Sequence, residues 1–347
     1  MKIAIDAMGG DLAPAAVVGG AKNALRDSSS VSKLFLVGDE SKIRSELDSQ
    51  SVATDKIEIV HASEVIEMGD SAAKSIRRKK DASISVAVNL VKSGDADAIF
   101  SAGHTGATVV AASLKLRTLP GVDRPGIASP LPNEFGLCNI VDAGANVDAK
   151  AMHLVHYGIM GSVYARHVLG KKNPVVGLMS VGEEEGKGTD FTREVFNLLR
   201  EAPINFKGNV EGHDLFETEL DVVVCDGFTG NVVLKSCEAT ANAMFKWLKQ
   251  EIYKSPVRKF GATLAKPAFR AVHDRANYES YGGSPLLGVN GVCIIGHGSS
   301  SPLAIQNAIH LAIESVAHGV NPHIEEEIAK FRATVAAPAP ARVEMPS

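Results

Sequence analysis

Cysteine is scarce: Cys138, Cys225, Cys237 and Cys293 are the only four in 347 residues, and no two have C-x-x-C spacing. That argues against a disulfide framework and a cysteine-held metal. Three of the four sit in apolar strand-like runs, the setting of buried, reduced thiols. An excess of positive charge is also missing. Lys and Arg total 36 against 40 Asp and Glu, a net charge of −4, which speaks against general nucleic-acid binding. No apolar run has membrane-spanning length. Met1 leads directly into the strand-like KIAID, so no secretory leader is expected and a cytoplasmic location is. The first strand-to-helix turn, IDAMGGDLAP, lacks G-x-G-x-x-G, and no G-x-S-x-G nucleophile elbow occurs. GEEEGKG (182–188) resembles a phosphate-binding P-loop only superficially. It is one residue short before the Gly-Lys pair, and Gly188 stands where Ser or Thr is needed. No cofactor and no metal are predicted.

What is present is an alternation. Apolar residues make up 45% of the chain and the mean hydropathy is +0.05, enough for a packed core. Strand-like runs occur at 2–6, 33–38, 56–60, 97–101, 138–143, 174–181, 221–226 and 291–296, with helical patterns between most of them. This predicts an α/β fold: a doubly wound, mostly parallel sheet with helices on both faces. Residues 1–331 read as one large unit, or two lobes, with an amphipathic helical segment at about 237–277. The Ala/Pro-rich stretch 332–347 reads as a disordered tail.

Six times an apolar run ends in a Gly-, Asn- or Ser-rich loop that feeds a helix: 8–11, 101–106, 142–148, 182–188, 226–231 and 296–301. Such loops expose backbone N–H groups, and helix amino termini favour anions. The expected ligand is therefore anionic, a phosphate in the first instance. In SAGHTGA, Gly103 and Gly106 flank a bend, with Thr105 as the expected helix cap and His104 beside it. In DGFTGNVVLK, Lys235 follows Asn231 by four residues, so an amide and an ammonium share one helix face behind Asp226. Lys187, Asn231 and Lys235 are the candidates to act on a phosphate or an oxyanion. Gly103, His104, Thr105, Gly106, Asn146, Asp226 and His297 are the candidates to bind substrate. Each has a blander alternative as a turn, a cap or a solvated charge.

In order, MKIAIDAMGGDLAP, SAGHTGA, VDAGANVD, GEEEGKG, DVVVCDGFTGNVVLK, YGGSPLLG and HGSS resemble the PlsX family of bacterial phosphate acyltransferases, from Met1 to about residue 320. His104, Ala143 and Ser180 depart from that family's usual Asn, Val and Asn. The resemblance implies that inorganic phosphate attacks the thioester of an acyl-acyl carrier protein, giving acyl phosphate. A membrane glycerol-3-phosphate acyltransferase would then use that product in phospholipid synthesis. It also implies a fold similar to phosphate acetyltransferases and isocitrate-type dehydrogenases, and a homodimer. Such chemistry needs two anions held close and a stabilised oxyanion, but no protein nucleophile.

Between Tyr253 and Arg275, Val257, Phe260, Leu264 and Phe269 fall at helical spacing, with six basic residues against Asp274. That pattern fits an interfacial helix on an anionic membrane, a dimer contact, or a surface for the acidic carrier protein. Pro267 is expected to kink or split it. Two other readings stay open. One is an isocitrate-type nicotinamide-dependent dehydrogenase, against which the lack of an Asp-rich metal constellation counts. The other is a non-catalytic membrane-associated scaffold, which has no need of six polar loops.

Overall fold

The computed structural model describes residues 1–336. The strands are β1 (Lys2–Asp6), β2 (Lys33–Gly38), β3 (Ile57–His61), β4 (Ala98–Ser101), β5 (Gly126–Asn133), β6 (Gly136–Val141), β7 (Val175–Met179), β8 (Asn205–Val210), β9 (Val222–Val224), β10 (Ser284–Leu287) and β11 (Val292–Ile295). The helices are α1 (Ala15–Asp27), α2 (Glu40–Ser49), α3 (Ala72–Arg78), α4 (Ser83–Ser93), α5 (Thr105–Lys115), α6 (Ala151–His167), α7 (Asp190–Arg200), α8 (Asp214–Glu217), α9 (Gly227–Tyr253), α10 (Pro256–Leu264), α11 (Lys266–Ala276), α12 (Pro302–Ala317) and α13 (Val320–Ala336). Helix α13 runs five residues into the segment expected to be disordered, and 337–347 lie outside the described residues.

All strands join one sheet in the order β3-β2-β1-β4-β11-β10-β5-β6-β9-β7-β8. The pleat sorts side chains onto two faces. In the first block, Ile3, Ile5, Leu34, Leu36 and Phe100 pack with α1 and α12, while Ala4, Phe35, Val37, Ile99 and Cys293 pack with α4 and α5. In the second block, Val141, Val176, Val222 and Val224 meet α6, α7 and α13. On the opposite face Cys138, Ile140 and Val223 meet Val233 and Leu234 of α9. Helix α6 is buried on nearly every side, which places His153 and His156 in the core as packing residues.

The sheet is not parallel throughout. β10 is antiparallel to both β11 and β5, and β5 is antiparallel to β6. After those reversals the block β6-β9-β7-β8 points opposite to the block β3-β2-β1-β4-β11. Register decides what this does to the site. Ile295 lies opposite Ser284, Leu286 opposite Ile127, and Val141 opposite Ala128. The carboxyl ends of β11 and β6 therefore stop within about one residue of the same height, roughly 3 Å. They are three strand spacings apart, about 14 Å. Two opposed sets of strand ends thus meet head-on above β10 and β5. One crevice results, although the strands feeding it run in opposite directions.

Candidate active site

Two buried aspartates build the crevice walls. At the end of β6, Asp142 accepts backbone N–H groups from Ile127, Gly144 and Ala145 at Oδ1 (2.9, 3.1 and 2.9 Å) and from Asn146 at Oδ2 (2.7 Å). Burial raises its pKa above the usual carboxylate range, against those four donors. At the end of β1, Asp6 accepts from Ser101 Oγ at 2.8 Å and from the Met8 N–H at 3.3 Å, and burial raises it likewise. Both carboxylates are locked into backbone geometry and act as scaffolding.

Glycines then allow close approach. A Cβ on Gly230 would lie 2.0 Å from the Asp142 carbonyl oxygen, and one on Gly227 would lie 2.8 Å from that of Asn146. The first turn of α9 can rest on the 142–146 backbone only because both positions lack side chains. Gly144, at φ +132°, faces Asn231 across this contact. Gly9 approaches Gly103 in the same manner, and the Asp11 N–H donates to the Gly298 carbonyl at 2.7 Å.

A cavity of about 120 Å³ lies between these walls, with polar side chains set among Ile127, Pro130, Ala143, Leu234 and Ile295. It is lined by Thr105 at the start of α5, Ser129 of β5, Ser284 of β10, His297 after β11, and Asn231, Lys235 and Glu238 of α9. Ser129 Oγ and Ser284 Oγ are hydrogen-bonded at 2.7 Å, and Lys235 Nζ lies 2.8 Å from Glu238 Oε2. His297 Nδ1 bonds Ser299 Oγ at 2.8 Å. A second cavity of about 190 Å³ shares Thr105, Ala143 and Asn231 and adds Gly106, Gly144, Gly227 and Phe228. The first residues of α5 and α9 therefore face one space, where the positive ends of two helix dipoles favour an anion.

The structure brings Thr105, Gly106, Asn231, Lys235 and His297 together, and it gives other candidates different work. His104, not Thr105, caps α5: its Nδ1 accepts the Ala107 N–H at 3.3 Å, and its Nε2 lies 3.1 Å from the Asp70 carbonyl. Both ring nitrogens are thereby engaged in holding the loop, with Gly103 behind them against Gly9. Asn146 donates from Nδ2 to Pro125 O at 2.6 Å and to Tyr157 Oη at 2.7 Å, which pins the turn. Asp226 caps α9 through the Thr229 N–H and Oγ1 at 2.9 and 2.7 Å. Lys187 lines neither cavity. Its loop follows β7, which β9 separates from β6, and Asn209 Nδ2 ties that loop to β8 through Glu184 O at 2.9 Å. Ser129, Ser284 and Glu238 were missed. Ser284 sits in the YGGS string, and Glu238 lies three residues beyond Lys235, so both carried a local signal. Ser129 stands between Ala128 and Pro130 in a proline-broken run that carries no such signal.

The thiols suit no covalent role. Burial pushes Cys293 up to about 12 and raises Cys138, Cys225 and Cys237 as well, so none is poised as a thiolate. Among the described residues, Glu183, His213 and Asp214 cluster, each with one potential metal-ligand atom within 4.8 Å of the others'. Asp214 is already engaged there by the Glu211 N–H and Thr218 Oγ1.

Solved structures share this architecture. A phosphotransacetylase from Streptococcus pyogenes superposes with a TM-score of 0.57 at 16% identity, covering 91% of this chain and 94% of that one. The EutD phosphotransacetylase from Staphylococcus aureus gives 0.55 at 15% identity over the same shares. These likenesses establish the fold alone. Sequence relatives go further. Proteins named phosphate acyltransferase are 56% identical over 337 residues in Akkermansia muciniphila (95% of this chain, 97% of that protein) and 52% identical over 316 residues in Pelotomaculum thermopropionicum (91% and 92%). Residues 1–323 match the family described as fatty acid synthesis protein, and with these relatives the chain belongs to that family, the PlsX phosphate acyltransferases.

Proposed function

We propose that the protein transfers a fatty acyl group from the thioester of acyl carrier protein to inorganic phosphate, releasing acyl phosphate and the free carrier thiol. The observation that carries this reading is the convergence of the α5 and α9 amino termini on a glycine-lined space, with Asn231 shared between it and the adjoining cavity that Lys235 lines. Phosphate sits against Thr105, Gly106 and the first turn of α9. Lys235 and Asn231 face the thioester oxygen. A phosphate oxygen forms the new bond to the carbonyl carbon, the oxyanion is held by those two side chains, and the carbon–sulfur bond breaks with the thiolate leaving. Near neutrality phosphate is partly dianionic, so orientation matters more than a strong base. Glu238 holds Lys235, and His297 borders the same space. Lys187 joins only if its loop moves inward.

Residues 1–331 act as one unit in this reading, because strand ends from both blocks build the crevice. The α10–α11 segment is the peripheral contact with the anionic inner face of the cytoplasmic membrane. There the product passes to a membrane glycerol-3-phosphate acyltransferase, and a homodimer would present two such segments on one side. No helix among the described residues is long and apolar enough to cross a membrane. The reaction is tested by incubating the protein with a long-chain acyl carrier thioester and labelled phosphate. A labelled, hydroxylamine-sensitive product should form without metal or nucleotide, and a requirement for either would overturn the mechanism.

A further inference from the structure

A groove of about 440 Å³ opens beside the crevice, between β5, α9 and α11. Its size lies within the roughly 300–1,000 Å³ of ligand sites. It shares Pro130, Leu234 and Glu238 with the 120 Å³ cavity, so the two spaces have a common wall. Beyond that neck the lining is largely apolar, with Leu131, Phe216, Ala241, Met244 and Phe245 prominent. Of the α9 residues that line it, 234, 237, 238, 241, 244 and 245 repeat at three and four residues along one helical face, with Ser236, Thr240 and Asn242 flanking them. From Leu234 to Phe245 that face runs for about 16 Å. Met244 is 61% exposed and Phe216 38% exposed, large apolar groups with no cover inside this chain.

We infer that this groove holds the hydrocarbon chain of the acyl donor and of the acyl phosphate. The inference rests on the proposed reaction and names where the chain lies. With the carbonyl carbon at Asn231 and Lys235, the chain must leave that 120 Å³ cavity in some direction. The neck at Pro130, Leu234 and Glu238 is where the cavity that carries Asn231 and Lys235 adjoins the larger, more apolar groove along the same helix. The far end of the groove lies beneath α11, beside Phe245 and His273, whose rings are in edge contact at 5.5 Å. The chain would therefore run from the crevice toward the base of the projecting helices.

The test uses the full-length protein. Octyl, decyl and dodecyl phosphate, each below its micelle concentration, should inhibit in competition with inorganic phosphate, tightening about fourfold per methylene. A flat series would overturn the inference. Ala241→Trp places bulk midway along the groove and should lower the palmitoyl-to-butyryl ratio of kcat/KM tenfold or more. An unchanged ratio in a folded variant would overturn it too. Because that variant could fail to fold, a dodecyl phosphate with a terminal diazirine is used on the parent. Labelling within 237–245 supports the groove; labelling confined to other segments contradicts it. Dimer dissociation by Ala241→Trp, with no labelling of 237–245, would show instead that a second copy covers this face. If neither donor is turned over while the alkyl series still tightens, the proposed reaction fails and the groove stands as a site for an apolar tail.

Discussion

At its amino end α9 is clamped. Gly227 and Gly230 are buried against the Asp142–Asn146 turn, Asp226 caps the first turn, and Lys235 is ion-paired to Glu238. Toward its carboxyl end, and through α10 and α11, the rule reverses. Neither α10 nor α11 buries a residue, and Val257, Phe260 and Leu264 are 79%, 68% and 70% exposed. Pro256 and Pro267 each fall in the first turn of a helix, so the expected kink is a full break between α10 and α11. Basic charge there is partly answered within the arm: Lys254 and Arg258 both pair with Glu251, and Arg270 lies 3.9 Å from Asp274. Arg275 anchors the arm to the sheet by donating to the Asn133 carbonyl. The contrast separates two kinds of surface. Where polar atoms are satisfied and glycines enforce contact, geometry is fixed for chemistry. Where large apolar side chains stand uncovered, the surface is complete only with something placed on it.

The largest effects should come from the clamped end. Asn231→Ala and Lys235→Ala are each expected to lower turnover about 10²–10³-fold with the fold intact by circular dichroism. Lys187→Ala should cost no more than about tenfold, since its loop lies off the cavity walls. Equal losses at Lys187 and Lys235 would redraw the site.

Glycine substitution should give opposite signs in the two regions. Gly230→Ala forces a Cβ to within 2.0 Å of the Asp142 carbonyl oxygen and should destabilise by about 3 kcal/mol in urea melts, with turnover lost. Leu264→Glu should reduce co-sedimentation with anionic liposomes at least tenfold while stability stays within about 0.5 kcal/mol. Binding that survives this change and is also insensitive to salt would make the stripe structural. Loss of dimer together with loss of binding would make it a subunit contact. Gly261→Ala, with no neighbour within 4 Å of the added carbon, should stabilise α10 by about 0.5–1 kcal/mol. A destabilisation there would mean that the arm is packed against something in solution.

The alternation of strand and helix was legible because a period of two and a period near 3.6 are local properties. Three strands were not. β5 carries Pro130 and Pro132, β10 carries Pro285 in four residues, and β8 has Gly208 at a register shift against β7. In each case the breaker residues mask pairing that only neighbouring strands provide. Those omissions also hid the reversal of direction in the middle of the sheet. The six loops looked equivalent because each has the same strand-to-helix grammar. Which of them meet depends on strand order, and strand order set the 182–188 loop aside from the cavities. His104 shows the same limit at the scale of one residue. Its role as a cap depends on Asp70, which lies 34 positions away.

The proposed mechanism is direct transfer between two substrates held in one crevice, without an acyl-enzyme. Mixing the protein with a long-chain acyl carrier thioester in phosphate-free buffer, while following free thiol from the first milliseconds, tests it most directly. No thiol should be released until phosphate is added, and thiol and acyl phosphate should then form in equal amounts. A burst of thiol equal to the enzyme concentration before phosphate is present would instead mean that an acyl-enzyme forms.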